Sequence, residues 1–328
     1  LPQRPVTCAV TATATDKVRG DVIRILKLND PFTLTTGFDR PNLTFHTSRP
    51  KSRKEALFSV LLQHRNDSGI IYCSTRKTVE EVCDKLQDRG FAATRYHAGL
   101  TDAERKENQE AFINDDCPLM VATNAFGMGI DKSNVRFVVH YNMPKCLESY
   151  YQEAGRAGRD GLPSDCYLFY NAQDVHTCRW FIENSDNDQL TEEQKKTVKE
   201  QDELRLKAMI RYAKTEDCLR RVLLEYFGEK APANCGNCSN CLENYERIDA
   251  TEDARKALSC IFRNDGRLGL AAVSACLRGQ VPPSMEGLQL QSQTTFGLLQ
   301  GQSEQQVRRL LTALIDSGYA RAAGDAYA

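Results

Sequence analysis

The residues of this sequence that best suit phosphate chemistry are two arginines in a glycine-rich string, residues 155–161. Arg156 and Arg159 stand three residues apart, with Gln152 just ahead of the string, so they can share one helix face or helix end. A guanidinium group stays charged and can bind two oxygens at once, which favours a phosphate ligand. An arginine that reaches a γ-phosphate across an interface, an arginine finger, accelerates phosphoryl transfer by ~10³–10⁵ in the best cases. The alternative, a basic surface turn, suits an isolated Arg-x-x-Arg better than the complete string.

A second glycine-bearing segment begins where an apolar, strand-like run ends. Thr123 opens it, Gly127 and Gly129 lie within it, and Asp131 closes it. Glycines allow a backbone to approach a ligand closely, while the Thr123 hydroxyl can donate to a phosphate oxygen and Asp131 can accept from a ribose hydroxyl. We predict a nucleotide or nucleic-acid contact here, against the alternative of an ordinary turn between a strand and a helix.

Two further strand ends carry polar side chains. Ser74 and Arg76 lead into a helix, whose N-terminus can bind an anion through hydroxyl and N–H groups. A plain helix cap by Ser74 or Thr75 is the alternative. His97 follows the next strand, and a single histidine there is more often a hydrogen-bonded structural residue than a ligand.

Four of the 13 cysteines have the spacing of metal ligands. Cys235, Cys238 and Cys241 form a Cys-x-x-Cys-x-x-Cys string, and Cys218 on the preceding helix can complete the set. Four thiolates close the shell of a tetrahedral structural Zn²⁺; an iron–sulfur cluster is the rival. The remaining cysteines are scattered through apolar segments, as small buried hydrophobic residues are in a reducing compartment.

Alternating strands and helices must position these residues. Strands are predicted over residues 69–73, 93–97, 119–123, 135–140 and 166–170, and helices over 77–89, 102–114 and 147–157. This order indicates βαβ units and a parallel sheet, on which ligands bind at the carboxyl ends of the strands. Residues 30–50, with three prolines, are predicted to be an extended connector.

The C-terminal part is helical. A helix is predicted over residues 195–227, and about three more over 251–328, with strand-like residues 319–321 near the end. In the last helix, Ser303 and Gln306 form a capping box. The apolar residues that follow fit one buried helical face: Val307, Leu310, Leu311, Leu314 and Ile315.

In order and spacing, these motifs resemble those of the second motor lobe of superfamily 2 helicases. Residues 11–15 resemble motif III, 74–76 motif IV, 123–131 motif V and 152–159 motif VI. Residues 37–42, Gly-Phe-Asp-Arg-Pro-Asn, and the cysteine cluster resemble the RecQ branch specifically.

The resemblance implies a role for each candidate residue. Arg156 and Arg159, with Gln152, would face the γ-phosphate of ATP, and Arg159 would be the finger. Gly129 and Asp131 would lie at the nucleotide. The residues expected at the DNA are Ser74, Arg76, His97 and Thr123.

The resemblance also implies an α/β architecture: a RecA-like parallel-sheet motor lobe, a helical zinc-binding module and a winged-helix domain. We expect the tail of a first RecA-like lobe and a connector in residues 1–36, the second lobe in 37–183, the zinc module in 184–248 and the winged helix in 249–328, truncated in the wing. A small helical domain is the alternative for the last of these.

Two strings of a complete helicase are missing from the 328 residues: Gly-x-x-x-x-Gly-Lys-[Ser/Thr], which cradles ATP phosphates, and Asp-Glu-x-His, which holds Mg²⁺. Both would belong to a first lobe preceding Leu1.

We therefore predict the C-terminal portion of an ATP-dependent 3′-to-5′ DNA helicase of repair or recombination, acting on single-stranded and duplex DNA. It would bind one structural Zn²⁺, would use ATP and Mg²⁺ only in the full-length enzyme, and would hydrolyse no ATP alone. The alternatives are a non-catalytic DNA- or partner-binding module and an RNA helicase.

Bulk composition limits these interpretations only weakly. The net charge is −1 and the pI about 6.6, so any phosphate contact must come from local patches. No apolar run approaches the ~18 residues of a membrane span, and no secretion signal is recognisable. We predict a cytoplasmic protein, at the bacterial nucleoid, or a nuclear one if the source is a eukaryote.

Overall fold

The computed structural model describes residues 6–11, 16–127, 131–185, 190–243 and 249–321. The chain forms two compact units, Leu1–Glu243 and Asn244–Ala328. The predicted motor lobe falls in the first unit and the predicted winged helix in the second, while the predicted zinc module, 184–248, extends five residues past the boundary between the units.

A six-stranded parallel sheet forms the centre of the first unit. The strands are β1 (Leu43–Ser48), β2 (Ser68–Tyr72), β3 (Ala93–Tyr96), β4 (Leu119–Ala122), β5 (Val135–His140) and β6 (Ser164–Phe169). Their order is β1-β6-β5-β2-β4-β3, and every pairing is parallel. The predicted α/β fold with a parallel sheet is confirmed.

Nine helices of the first unit are described. They are α1 (Asp16–Ile25), α2 (Arg53–Gln63), α3 (Arg76–Gln87), α4 (Asp102–Ile113), α5 (Leu147–Ala154), α6 (Ala172–Glu183), α7 (Glu192–Lys214), α8 (Leu219–Tyr226) and α9 (Ser239–Leu242).

Both faces of the sheet are covered, so its strands are apolar on both sides. In β2, Ile70 and Tyr72 join one core, whereas Ile71 joins the other. Gly69 is required at this position, since a Cβ there would lie 2.0 Å from the Phe137 ring. Gly69 and Phe137 are paired residues of the neighbouring strands β2 and β5, so this close approach lies within the sheet.

Strand β1 corrects the prediction that residues 30–50 are only a connector. It pairs with β6 along its length. Leu43 and Phe45 are buried and alternate with more exposed residues, which is the pattern of an edge strand. Pro41 and Pro50 bracket this short run rather than interrupt it, so they did not argue against a strand.

The helix predicted over residues 195–227 is two helices. Helix α7 begins three residues earlier than predicted, behind a capping box of Thr191 and Gln194, and ends at Lys214. Thr215 is extended, and Cys218 is the N-cap of α8, its Sγ accepting from the N–H of Arg221 at 3.4 Å. Cys218 therefore lies in a break between helices and not within one.

The second unit contains three α-helices in its described part: α10 (Thr251–Arg263), α11 (Leu270–Leu277) and α12 (Glu304–Asp316). The capping box of Ser303 and Gln306 is confirmed, and the apolar face of α12 packs into the core. The strand-like residues 319–321 are not a strand. The prediction was wrong there, because a strand needs a pairing partner and the described residues offer none.

Candidate functional site

Three of the predicted contact residues follow adjacent strands. Ser74 comes two residues after β2, and His97 and Thr123 come directly after β3 and β4. Since β2, β4 and β3 are neighbours, these residues lie along one edge of the sheet. Ser74 is exposed, with its backbone N–H bonded to Asn142 Oδ1 at 3.2 Å.

The helix after β2 is capped by Thr75 and not by Ser74. The Thr75 hydroxyl accepts from the N–H of Thr78 at 3.1 Å, so the capping role is filled. The side chains of Ser74 and Arg76 are exposed beside this cap. Their hydroxyl and guanidinium groups face solvent at a helix N-terminus, where an anion is favoured.

The His97 side chain is buried and hydrogen-bonded within the protein and is not exposed at its surface. It is 5% exposed. Its Nε2 lies 2.6 Å from Glu80 Oε1, and its Nδ1 accepts from the N–H of Gly99 at 3.1 Å. Burial raises the pKa of Glu80, but hydrogen bonds from His97 and Arg95 outweigh it and lower that pKa. Both ring nitrogens thus have protein partners, which leaves neither for DNA and supports the structural interpretation of His97.

The arginine turn, residues 155–161, follows helix α5. Gln152 is exposed on that helix. Arg156 Nη1 donates to the carbonyl oxygen of Gly127 at 2.5 Å, and its buried Nε has no partner among the described residues. Gly127 has a φ of +147°, and a Cβ there would lie 2.1 Å from Arg156 Nη2. Only glycine therefore lets the loop accept this arginine without displacement.

Arg159 occupies a more open place than Arg156. Its Nη1 lies 3.7 Å from Asp131 Oδ1, and the two side chains are 37% and 97% exposed. An exposed pair of this kind contributes ~0–1 kcal/mol, so a phosphate can replace the carboxylate at little cost. The structure thus places Arg159 beside Asp131, whereas Gly129 and residues 12–15 lie outside the described residues.

A buried polar layer beneath the turn was not predicted from the sequence. His140 Nε2 and Glu153 Oε2 are 2.9 Å apart, and both residues are buried. Beside them the Tyr72 hydroxyl donates to the carbonyl oxygen of Phe126 at 3.2 Å. Burial raises the pKa of Tyr72, and the nearby Arg156 partly offsets it. Single polar residues in apolar strands carry no pattern of their own; the only available signal was Glu153 on the inner face of α5.

The four predicted ligand cysteines converge on one point. Their Sγ atoms all lie within 4.8 Å of one another, with 4.0 Å between those of Cys235 and Cys241. Four sulfurs at ~2.3 Å from a tetrahedral zinc would be ~3.8 Å apart. The site therefore fits a four-thiolate structural zinc, with no ligand position left open for chemistry.

The cysteine thiols differ in acidity. Burial raises the pKa of Cys238 to about 12 and also raises that of Cys218. For Cys241, burial raises the pKa, but hydrogen bonds from the backbone N–H groups of Gly236 and Cys235 outweigh it and bring the pKa to about 7. Because the thiolate is the metal ligand, Cys241 is the most readily available of these three.

Three family models match consecutive parts of the chain. The helicase conserved C-terminal domain matches residues 52–161, the RecQ zinc-binding family 172–242 and the RQC domain 244–328. The first contains the arginine turn, and the second contains all four cysteines.

Curated relatives match over nearly the whole chain. The ATP-dependent DNA helicase RecQ of Bacillus subtilis is 42% identical over 98% of this chain and 53% of its own length. That of Pasteurella multocida is 38% identical over 97% and 49%. The chain spans about half the length of these two relatives.

Likeness to solved structures is partial. Saccharomyces cerevisiae Dbp5 bound to RNA and ADP–BeF3 matches with a TM-score of 0.44 and 22% identity, over 58% of this chain and 53% of that one. Among the described residues, no helix has the length and apolar character needed to span a membrane.

Proposed function

The chain belongs to the RecQ family of helicases, and from that premise we propose that it is the C-terminal portion of an ATP-dependent DNA helicase. The observation that carries the proposal is the contact of Arg156 with Gly127 and the pairing of Arg159 with Asp131. Two arginines of different exposure, with an acceptor opposite, suit a nucleotide better than a basic surface turn.

Arg156 and Arg159 have different roles. Arg156, bonded to the carbonyl of Gly127, holds the loop against the turn. Arg159, 37% exposed and only weakly held by Asp131, is the arginine that reaches the γ-phosphate across the interface with a first lobe. Its charge then stabilises the transferring phosphoryl group. Asp131 is released to accept from a ribose hydroxyl. Gln152 lies exposed on α5, the helix that precedes the arginine turn.

The DNA backbone would run along the carboxyl ends of β2, β4 and β3, where the polar side chains follow the strands. Ser74 and Arg76 are the exposed donors there, whereas Thr123 is buried at the end of β4. His97, which was expected at the DNA, would instead act through Glu80, by holding this part of the sheet in place. Unwinding with 3′-to-5′ polarity, a role in repair or recombination, and the cytoplasmic or nuclear compartment belong to the same proposal.

ATP and Mg²⁺ would be bound mainly by residues outside these 328. The sequence holds neither the phosphate-cradling string nor the Mg²⁺-binding string. When bound at the interface between lobes, ATP·Mg²⁺ would supply the phosphoryl group, and this chain would supply the charge that faces it. The zinc would have no part in this chemistry.

The test compares two proteins, the isolated chain and the full-length gene product. We expect DNA-stimulated ATP hydrolysis and unwinding of a duplex with a 3′ single-stranded tail from the full-length protein, and neither from the isolated chain. DNA binding without hydrolysis by the full-length protein would replace the proposal with a non-catalytic binding module. Hydrolysis by the isolated chain would show that these residues hold a phosphate site of their own.

A further inference from the structure

We infer that residues 37–43, here called the strap, position the arginine turn, and that Arg40 and Arg220 are the positioning residues on its two sides. The strap passes between the zinc-binding module and the arginine turn, and its polar groups bond to both. The inference rests on the proposed function of Arg159, because it concerns how that arginine is held.

Arg40 ties the strap to the arginine turn. Its guanidinium donates to the carbonyl oxygens of Gly155, Ala157 and Gly158 at 3.4, 3.3 and 2.8 Å. Asn42 adds a bond from Nδ2 to the Gly158 carbonyl at 2.9 Å. These carbonyls belong to the turn on both sides of Arg156 and directly before Arg159. One planar, charged fork therefore fixes the backbone path between the two arginines.

Arg220 ties the strap to the zinc-binding module. It is 5% exposed, and its Nη1 donates to Asp39 Oδ1 at 2.5 Å and to the carbonyl oxygen of Arg40 at 2.7 Å. Its other nitrogen, Nη2, donates to the carbonyl oxygen of Leu43. Thus one guanidinium from the module holds the backbone of Arg40, while the guanidinium of Arg40 holds the turn.

Two more residues of the module make three further hydrogen bonds to the strap. Asn237 Nδ2 donates to the carbonyl oxygens of Pro41 and Leu43 at 3.2 and 3.3 Å. Glu229 Oε1 accepts from the N–H of Phe38 at 2.6 Å.

The four cysteines lie close in sequence to Arg220 and Asn237, two of the residues that bind the strap. Arg220 lies two residues after Cys218, and Asn237 lies between Cys235 and Cys238. A zinc ion that joins these cysteines would therefore set the distance between Arg220 and Asn237, and hence the place of the strap. A displacement of about 1 Å at a reacting group can cost on the order of a hundredfold in rate, which gives the strap a means to affect turnover without touching ATP.

The experiment uses Arg40→Gln and Arg220→Gln in the full-length gene product. We measure zinc content, hydrogen exchange of the backbone amides of residues 155–161, and kcat and KM for ATP. Each variant is expected to keep its zinc and its KM within about twofold. Exchange in residues 155–161 should accelerate at least fivefold, with kcat lowered at least tenfold, because local opening of the turn becomes easier. Arg40→Lys keeps the charge but not the fork and should recover only part of kcat.

Arg179→Gln is the control, since it removes the same charge from a surface pair with Glu203 at 3.8 Å. It should change neither exchange nor kcat. The inference is overturned if Arg40→Gln and Arg220→Gln leave exchange in residues 155–161 at the wild-type rate, or if kcat stays unchanged although exchange accelerates. It is also overturned if KM rises and kcat does not fall. Failure of the proposed function would look different: Arg159→Ala would then keep its turnover, whatever happens to exchange in the turn.

Discussion

Arg159 and Asp131 face each other, with 3.7 Å between Nη1 and Oδ1. One belongs to the turn after α5, and the other to the glycine-bearing segment after β4. The pair joins the two segments that the family resemblance assigns to the nucleotide, and its exposure makes it easy to separate. Asp131 can therefore hold Arg159 at one stage of a cycle and accept from a ribose hydroxyl at another.

Asp131→Asn in the full-length protein should raise KM for ATP about three- to tenfold and change kcat by less than about threefold. The physical reason is the loss of one charged acceptor, worth ~1.5–3 kcal/mol at most and less in an exposed position. Steady-state kinetics with ATP over a range of concentrations measures both values. A fall in kcat at constant KM would contradict a nucleotide-binding role for Asp131.

Gly127→Ala should lower both the thermal stability of the protein and the kcat of the full-length enzyme. The new Cβ would lie 2.1 Å from Arg156 Nη2 and must displace the guanidinium, besides adding strain at a φ of +147°; such strain costs of order 1–3 kcal/mol. Gly90→Ala is the matched control, because Gly90 also has a positive φ, +82°, but no atom near its Cβ position. Both should lose thermal stability, and only Gly127→Ala should lose turnover. Equal turnover in both would show that Arg156 does not hold the loop for catalysis.

Cys238→Ser should abolish metal binding. Cys238 is fully buried in the cluster, and three thiolates leave the zinc shell open. Metal analysis should find one zinc per wild-type chain and none in the variant, with a lower melting temperature. Cys8→Ser, at an exposed cysteine, should match the wild type. A brown protein with iron would contradict the zinc assignment in favour of an iron–sulfur cluster.

Glu80→Gln should destabilise the protein in a pH-dependent way. The pKa of Glu80 is lowered in the folded protein, so its carboxylate contributes stability at pH values above the unfolded pKa. That contribution is lost as the pH falls through the folded pKa. Because Glu80 is partly exposed, we expect less than about 1 kcal/mol at pH 7.

Urea denaturation at pH 7 and at pH 3.5 checks this expectation, with Glu81→Gln on the same helix as the control. The midpoints of wild type and Glu80→Gln should differ at pH 7 and approach each other at pH 3.5. A gap that widens on acidification would mean that Glu80 is not stabilised in its charged form.

Two kinds of feature could be predicted from the sequence: apolar runs bounded by turn residues, and cysteines at regular spacing. Five strands were found within two residues of their ends because each is a continuous apolar run bounded by turn residues. The cysteine cluster was found because three cysteines at intervals of three, in a polar stretch, are typical of metal ligands. Strand β1 was missed, since a short alternating run among prolines carries little periodicity. The break before Cys218 was missed because apolar residues recur at helical spacing on both sides of it, although Thr215 and Asp217 are weak helix formers that suit a helix boundary.

Contacts between distant segments could not be predicted. His140 with Glu153, and Arg220 with Asp39, are 13 and 181 residues apart in sequence. Such pairs depend on tertiary packing, which leaves no periodic signal in a single sequence. The role of His97 could not be predicted for the same reason. A histidine after a strand suits a ligand-binding residue, and only the contact with Glu80 shows that this one is hydrogen-bonded within the protein.

Arg159 is expected to act on the transition state of ATP hydrolysis and not on ATP binding, and the function proposed for the chain depends on this distinction. The sharpest test measures the Kd for ATP and the DNA-stimulated kcat of Arg159→Ala in the full-length protein. We predict a Kd within about threefold of wild type and a kcat lower by ~10³-fold or more, as for other arginine fingers, with only slight recovery in Arg159→Lys. A kcat within about tenfold of wild type, or a loss caused entirely by weaker ATP binding, would exclude Arg159 as the finger.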